Sequence, residues 1–410
     1  MATVRPFRGI TFDPTRVPDP ATVTCPPYDV ISPADRDRLY DRHPYNIVRI
    51  VSGREEAGDD DAQNKYTRAC GFFRSWLWEG VLREDPSEAL FVYRQAFDDP
   101  RGHRRRVWGL LATISLDDEI LAHERTMAGP KADRLALMRA IPANLSPIYA
   151  LYREEGGGIS SSLSAWSHEA PVADFVDDEG TRHTVWAVHD QVVHEKVASA
   201  LATSPLLIAD GHHRFETAKA YRNLRREQDG PGAWDGVLTL LVDVSTQPVL
   251  ILPYHRLVVR VRAGDPVTVL RQRFSLDEIG AASPESVAAF ADAAWDGDEQ
   301  TFGFLFEGKI YRMRAERAGA GEIPAGVLAR DGLEPLGVGD AEDDLIFTPD
   351  AEMVRAGVEA GRAACGFLIP PVAVESVWNL AASGAKMPEK STYFFPKPKD
   401  GIVIRALEPC

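Results

Sequence analysis

The stretch from Leu206 to Arg222, LLIADGHHRFETAKAYR, sets a carboxylate, two imidazoles and a guanidinium side by side. The apolar residues Leu206 to Ala209 read as a short buried strand, and a helical pattern begins at Phe215. Asp210, Gly211, His212, His213 and Arg214 therefore fall in a strand-to-helix turn. Such a turn offers backbone N–H groups and the positive end of a helix dipole, a physical setting for phosphate. Gly211 permits positive φ and close approach by a ligand. Arg214 can clamp phosphate oxygens with two parallel hydrogen bonds. Asp210 can act as a general base or hold a metal, and a neutral histidine can move protons near pH 7. The competing reading is a helix-capping aspartate beside solvated histidines. Core packing has no use for the cluster as a whole, so the turn is the expected chemical centre.

Four further groups could serve the same site. His123 and Glu124 precede Lys131, Asp133, Arg134 and the run Asn144-Leu145-Ser146-Pro147. Without a second histidine four residues on, His123-Glu124 is no zincin motif. The group is either a second wall that offers Lys131 and Arg134 to phosphate or a salt-bridged surface loop. The stretch Gly384 to Lys397, GAKMPEKSTYFFPK, invites comparison with the phosphate-binding P-loop. Glu389 stands where that pattern needs its second glycine, and a carboxylate there repels phosphate, so a Walker A site is rejected. A loop remains with Lys386, Lys390, Ser391, Thr392 and Lys397 among aromatics, able to close on an anion. Tyr28 and Asp29, behind the rigid Cys25-Pro26-Pro27, and His255-Arg256, ending an apolar strand, are expected at pocket edges, as is Asn144.

The elements that must carry these groups point to an α+β fold with mixed sheets. Ser32, Pro33 and Asp35 mark the start of a helix running to about Arg42. Tyr45–Ser52 reads as a strand, Ala62–Trp78 as an amphipathic helix, and 90–97 and 107–116 as paired strands. A helix over Lys131–Ile141 and a strand in NLSPIYALYR close an N-terminal α+β lobe, 1–160. A core segment, 161–260, holds the DGHHR turn, a helix from Asp190, the strand 237–244 and another over 250–258. A further α+β lobe, 261–345, has a helix at 265–273, a hairpin turning at Glu307-Gly308, and loops at 318–340. The tail, 346–410, combines two helices with the KMPEKST loop and a closing strand.

Composition bounds the alternatives. With 410 residues, 44% hydrophobic and 26% charged, the chain has material for several buried cores. Its net charge of −15 argues against nonspecific nucleic-acid binding or an anionic membrane surface. Cys25, Cys70, Cys365 and Cys410 are scattered without zinc-ligand spacing and read as free thiols, Cys410 as an exposed one. No apolar run reaches membrane-spanning length and no signal core opens the chain, so a cytoplasmic location is expected.

CPPYDVIS, HERT with PKADR and NLSPIY, LLIADGHHRFETA, LPYHR and KMPEKSTYFFPKP together resemble the bacterial and archaeal family called domain of unknown function 1015, from about Phe7 to Ile404. Within it, LLIADGHHRFETA resembles the nucleotide-binding turn of the ParB/sulfiredoxin superfamily, which includes free-serine kinases. The resemblance implies a ParB/sulfiredoxin-like core with added α+β lobes. It implies Asp210 and His212 near a transferred phosphoryl group, Arg214 on the phosphates, and Glu124 as the matching upstream acid. His213 departs from the small hydroxyl residue found there in some of those kinases. The expected activity is phosphoryl transfer from ATP or ADP to a small hydroxyl metabolite such as serine, assisted by Mg²⁺ for which Asp210 is a candidate ligand. A hydrolase of a phosphorylated metabolite, with His212 or His213 as acid–base group, and a nucleotide-sensing regulator are the alternatives.

Overall fold

The computed structural model of the chain describes residues 2–408 except 125, 127, 155, 157, 295–299, 316–321, 339–343 and 389. Cys410 and Glu389 lie outside the described residues. Contacts divide the chain into two compact units. One comprises Met1–Ala122, Thr126–Val249 and Pro396–Cys410; the other comprises His123–Arg125 and Leu250–Phe395.

In the first unit, β1 (Val4–Arg5) and β2 (Gly9–Phe12) precede three helices, α1 (Pro33–Arg42), α2 (Val48–Val51) and α3 (Lys65–Trp78), and β3 (Leu82–Glu84) follows them. β4 (Leu90–Asp98), β5 (Arg104–Ser115) and β6 (Ile120–Ala122) lead to α4 (Ala128–Ala140), β7 (Ala143–Asn144), β8 (Ile148–Tyr152) and α5 (Gly158–Ser162). β9 (Ala173–Val176), β10 (Arg182–Val188), α6 (Gln191–Leu201), β11 (Leu206–Asp210), α7 (His212–Asp229) and β12 (Gly236–Asp243) follow. Nine strands form one sheet in the order β6-β11-β8-β12-β5-β4-β10-β9, with β1 on β5. β11 runs parallel to β6 and antiparallel to β8, which runs parallel to β12, so the sheet is mixed. Its core joins Val92, Leu110 and Ile148 of the sheet to Val197 of α6 and Phe215 and Ala218 of α7. Capping fits the sequence pattern: Ser32 accepts from Asp35 N ahead of Pro33, and Asp190 accepts from Val192 N.

The second unit carries β13 (Leu250–Leu252), β14 (His255–Val258), α8 (Pro266–Leu270), β15 (Phe274–Ala281), α9 (Pro284–Ala294), β16 (Thr301–Phe306) and β17 (Lys309–Ala315). α10 (Pro324–Val327), β18 (Leu345–Thr348), α11 (Ala351–Glu359), β19 (Cys365–Leu368), α12 (Val374–Ala382) and β20 (Tyr393–Phe395) complete it. Six of these strands pair as β15-β17-β16-β19-β14-β18, and β13 pairs with β20. The β16–β17 hairpin turns at Glu307-Gly308, both with positive φ, as the Glu-Gly signal requires. The chain then returns to the first unit, where β21 (Ile404–Ala406) enters a small sheet of order β3-β2-β21-β7.

Four local expectations are corrected. Tyr45–Ser52 is not a strand; its centre is the short helix α2. The Asn46 carboxamide accepts from Val48 N at 3.0 Å and donates to Thr22 O at 2.8 Å, and Ile47, Val48, Ile50 and Val51 are all buried. Burial on every side removes the advantage a half-buried sheet gives β-branched residues. Residues 324–333 are helical rather than loop, with Pro324 at the first helical position. The strand expected over 250–258 is broken at Pro253-Tyr254 into β13 and β14, which join different sheets. α7 begins at His212, so both histidines and Arg214 lie in its first turn rather than ahead of the helix.

Candidate functional site

β11 and α7 present the DGHHR residues through two local devices. The pairing of β11 with β8 slips between Ile208 and Asp210, so Ala209 is an extra residue that re-aims the strand end. Gly211 then turns the chain at φ 93° and ψ 28°. A Cβ there would lie 3.0 Å from Arg214 Nε, because the guanidinium folds back over the glycine. Gly211 offers α7 no side-chain cap. The first N–H groups of an α-helix have no carbonyl partner within it, so this end suits an anion. His212 is buried and His213 half-buried in this turn.

Asp210 is held from two sides. Its Oδ2 accepts from Arg214 Nη2, and its Oδ1 meets Lys397 Nζ at 2.5 Å. Arg214 also donates to Pro147 O, and Lys397 Nζ reaches Asp29 Oδ2 at 3.3 Å. Asp400, three residues beyond Lys397, is fully buried, and among the described residues neither of its carboxylate oxygens receives a hydrogen bond of good geometry. Burial pushes its pKa up to about 7, although Arg214 and the Ser146 hydroxyl pull it down. Burial opposes the charge of Arg214, yet Asp210, Asp400 and Asp29 together raise its pKa above the usual arginine value.

Beside this cluster runs a narrow cleft of about 50 Å³, lined by Tyr28, Arg134, Leu137, Leu145, Arg214 and Thr217. It has room for a few waters or a phosphate-sized group. Arg134 stacks under Tyr28 at 4.0 Å from the ring centroid, and it is fixed by Asp133 Oδ2 and Val51 O. Burial would raise the Asp133 carboxyl, but Arg134, Lys65 and Tyr66 outweigh it and hold the pKa at about 2. Burial, with Asp29 adding to it, lifts the Tyr28 phenol to about 12, so it remains a donor at neutral pH. Among the described residues, the buried Thr217 hydroxyl has no hydrogen-bond partner. An unpaired buried hydroxyl in a cleft wall is the kind of group a ligand or water satisfies.

Other expected site residues have identifiable structural work. Asn144 Oδ1 accepts from Leu238 N at 3.0 Å and from Arg405 Nη1 at 3.2 Å, tying β7 to β12 and β21, while the residue also lines the cleft. Lys131 is half-buried near the start of α4. His123, Glu124, His255, Arg256, Lys390, Ser391 and Thr392 all belong to the second unit. There Glu124 Oε1 accepts from Lys390 N at 2.8 Å, and His123 Nε2 lies 3.1 Å from Thr392 Oγ1. Arg256 donates to Lys390 O at 2.8 Å, and Ser391 Oγ donates to Pro388 O at 2.6 Å. Burial lowers His255 to about 3, and its Nδ1 accepts from Ile369 N at 3.0 Å. His123 and Glu124 thus brace Lys390 and Thr392 within that unit.

Asp400 and Thr217 escaped the sequence reading, and Lys397 was placed with the KMPEKST loop rather than with Asp210. The one available signal was the charged run Lys397-Pro398-Lys399-Asp400, directly before the closing strand. All three charged residues in it are buried. Lys399 meets Asp177 at 2.6 Å, and Asp177 in turn accepts from or faces His183 Nε2 at 3.0 Å, whose Nδ1 lies 2.6 Å from the Tyr93 hydroxyl. Thr217 looks like one more residue of an amphipathic helix.

The described carboxylates around Asp210 do not fit a resident Mg²⁺ between Asp29 and Asp210. Mg²⁺ requires near-octahedral oxygens at about 2.0–2.1 Å, whereas the Lys397 ammonium already stands against both carboxylates.

Comparison with known proteins yields a family and distant structural neighbours. The family model described as "Protein of unknown function (DUF1015)" matches residues 4–334. A free serine kinase in complex with AMP is similar at 17% identity and TM-score 0.37, covering 69% of this chain and 86% of the kinase. A conserved hypothetical protein from Pyrococcus furiosus matches at 16% identity and TM-score 0.37, covering 70% and 93%. A C-terminally truncated SbnI from Staphylococcus aureus matches at 9% identity and TM-score 0.36, covering 71% and 85%. No curated protein matches the sequence. Among the described residues, no helix is long and apolar enough to cross a membrane.

Proposed function

The chain belongs to the DUF1015 family of proteins of unknown function, and we propose that it binds ATP or ADP at the start of α7 and transfers a phosphoryl group to a small hydroxyl metabolite such as serine. The observation that supports this reading most is the bulged β11–α7 turn. It sets Asp210 and an uncapped helix N-terminus beside Arg214 and the cleft that Arg134 and Thr217 line.

Phosphoryl transfer asks a protein mainly for positioning and for positive charge where charge develops. Here the N–H groups of the first α7 turn and the Arg214 and Arg134 guanidinium groups receive phosphate oxygens. The Thr217 hydroxyl and the protonated Tyr28 phenol supply neutral donors. Asp210 orients the acceptor hydroxyl and takes its proton as the new P–O bond forms and the bond to the nucleotide's leaving oxygen breaks. His212, buried in the first turn of α7, stands near the transferred phosphoryl group. The phosphoryl donor must displace part of the Arg214–Asp210 ion pair to use the guanidinium, so donor binding and release of Asp210 toward the acceptor are coupled.

The test is calorimetry with ATP and ADP, followed by turnover assays with small hydroxyl acceptors and Mg²⁺ in solution. Acceptor-dependent consumption of nucleotide is expected, and Asp210→Asn abolishes it while leaving nucleotide binding within about tenfold. Absence of any nucleotide binding by the wild-type protein would end the proposal. Release of inorganic phosphate without acceptor would convert it into a hydrolase.

A further inference from the structure

Asp29 and Asp210 lie far apart in the sequence of the first unit, yet both carboxylates meet one ammonium group. Lys397 Nζ lies 2.5 Å from Asp210 Oδ1 and 3.3 Å from Asp29 Oδ2, and the lysine side chain is only 6% exposed. The lysine sits in Pro396-Lys397-Pro398, a segment whose prolines restrict the backbone. Its backbone is anchored at the lysine itself and just beyond it. Gln95 Nε2 donates to Lys397 O at 3.2 Å, and Asp400 N donates to Cys25 O at 2.9 Å. A mobile surface lysine forming a chance ion pair would show none of these restraints. Lys397 also lies beyond residue 334, where the family match ends.

We infer that Lys397 is a built-in replacement for a divalent cation, filling the position between Asp29 and Asp210 where an acidic pair would otherwise bind a metal. Asp210 is largely shielded from solvent while Asp29 stands at the exposed edge, and two carboxylates close enough to share one ligand repel unless a cation lies between them. An ammonium supplies one charge and three donors, whereas Mg²⁺ or Mn²⁺ supplies two charges and demands oxygen ligands. Lys397 therefore keeps Asp210 in place without a resident metal and leaves the second oxygen of Asp210 to Arg214. Lys397 is a positioning residue: it acts through Asp210 and Asp29 rather than on a reacting atom. This holds whether or not the turn carries nucleotide chemistry.

The consequence is a latent metal site. Lys397→Met keeps the length and apolar stem of the side chain and removes its charge, leaving Asp29 and Asp210 facing a vacated cation position. Mn²⁺ binding, read from the free-ion signal in electron paramagnetic resonance without nucleotide, should rise by one ion per chain relative to the wild type. Mn²⁺ should also raise the melting temperature of Lys397→Met and not that of the wild type. Lys397→Arg, which keeps a cation, should bind no additional ion, and Asp29→Asn added to Lys397→Met should abolish the gain. Equal Mn²⁺ stoichiometry in Lys397→Met and wild type would overturn the inference. So would a Lys397→Met chain that stays unfolded in millimolar Mn²⁺, because the divalent ion should rescue a carboxylate pair deprived of its lysine.

Discussion

Asp400→Asn tests the electrostatics of the first unit directly. The carboxyl is fully buried, no hydrogen bond of good geometry from the described residues reaches its oxygens, and burial lifts its pKa from 3.8 to about 7. Between those values the folded chain holds a proton that the unfolded chain has released. The unfolded state then binds fewer protons, so stability falls as pH rises. The contribution is complete below about pH 4, drains away up to about pH 7, and is level above. At about 1.4 kcal/mol per pKa unit the full span is roughly 4 kcal/mol, of which roughly 2–3 kcal/mol lies between pH 5 and pH 8. Asparagine keeps the shape and the backbone bridge to Cys25 while removing the charge. Urea unfolding of both proteins at each pH cancels every other titrating group in the difference. Asp400→Asn should gain on the wild type by roughly 2–3 kcal/mol from pH 5 to pH 8. A pH-independent difference would show that Asp400 is ionised in the folded chain throughout, refuting the account of its burial.

Gly211→Ala should destabilise by about 1–2 kcal/mol, the cost of a Cβ in the left-handed region, since Gly211 sits at φ 93°. Because the new Cβ also displaces the Arg214 guanidinium, calorimetry should show weaker nucleotide binding; unchanged affinity would detach that guanidinium from the ligand. His255→Phe strands the Ile369 N–H and should cost about 1–3 kcal/mol near pH 8. The His255 pKa is held at about 3, so the wild type loses stability as pH falls below about 6.5, when the unfolded chain takes up a proton that the folded chain refuses. The gap between variant and wild type should therefore narrow by roughly 2 kcal/mol at pH 5, and a constant gap in urea midpoints would contradict a neutral buried His255.

Periodicity and caps were legible wherever an element's own residues decide its form. The helix after Ser32-Pro33, the β4–β5 pair, the Glu307-Gly308 hairpin and the strand that ends at Asp210 all follow from local pattern. α2 did not, because a run of β-branched residues buried on every side carries no period that separates strand from helix. Neither did the helix at 324–333, whose Gly and Pro residues read as punctuation until their neighbours bury Val327 and Leu328. The break at Pro253 was written in the sequence, but which sheet each half joins was not.

By itself, the sequence determined that Asp210, Gly211, His212, His213 and Arg214 share one turn, because residues adjacent in the chain cannot be far apart in space. It determined also that Gly211 is the residue able to take the left-handed conformation there. Only the tertiary structure decided what surrounds that turn. Lys397 and Asp400 reach it from nearly 200 residues away, and Tyr28 and Asp29 join the same group from the other end of the chain. A charged side chain looks the same in sequence whether water or a buried counter-ion solvates it. The difference is desolvation, a property of every neighbour at once, and it exists only after the chain has folded.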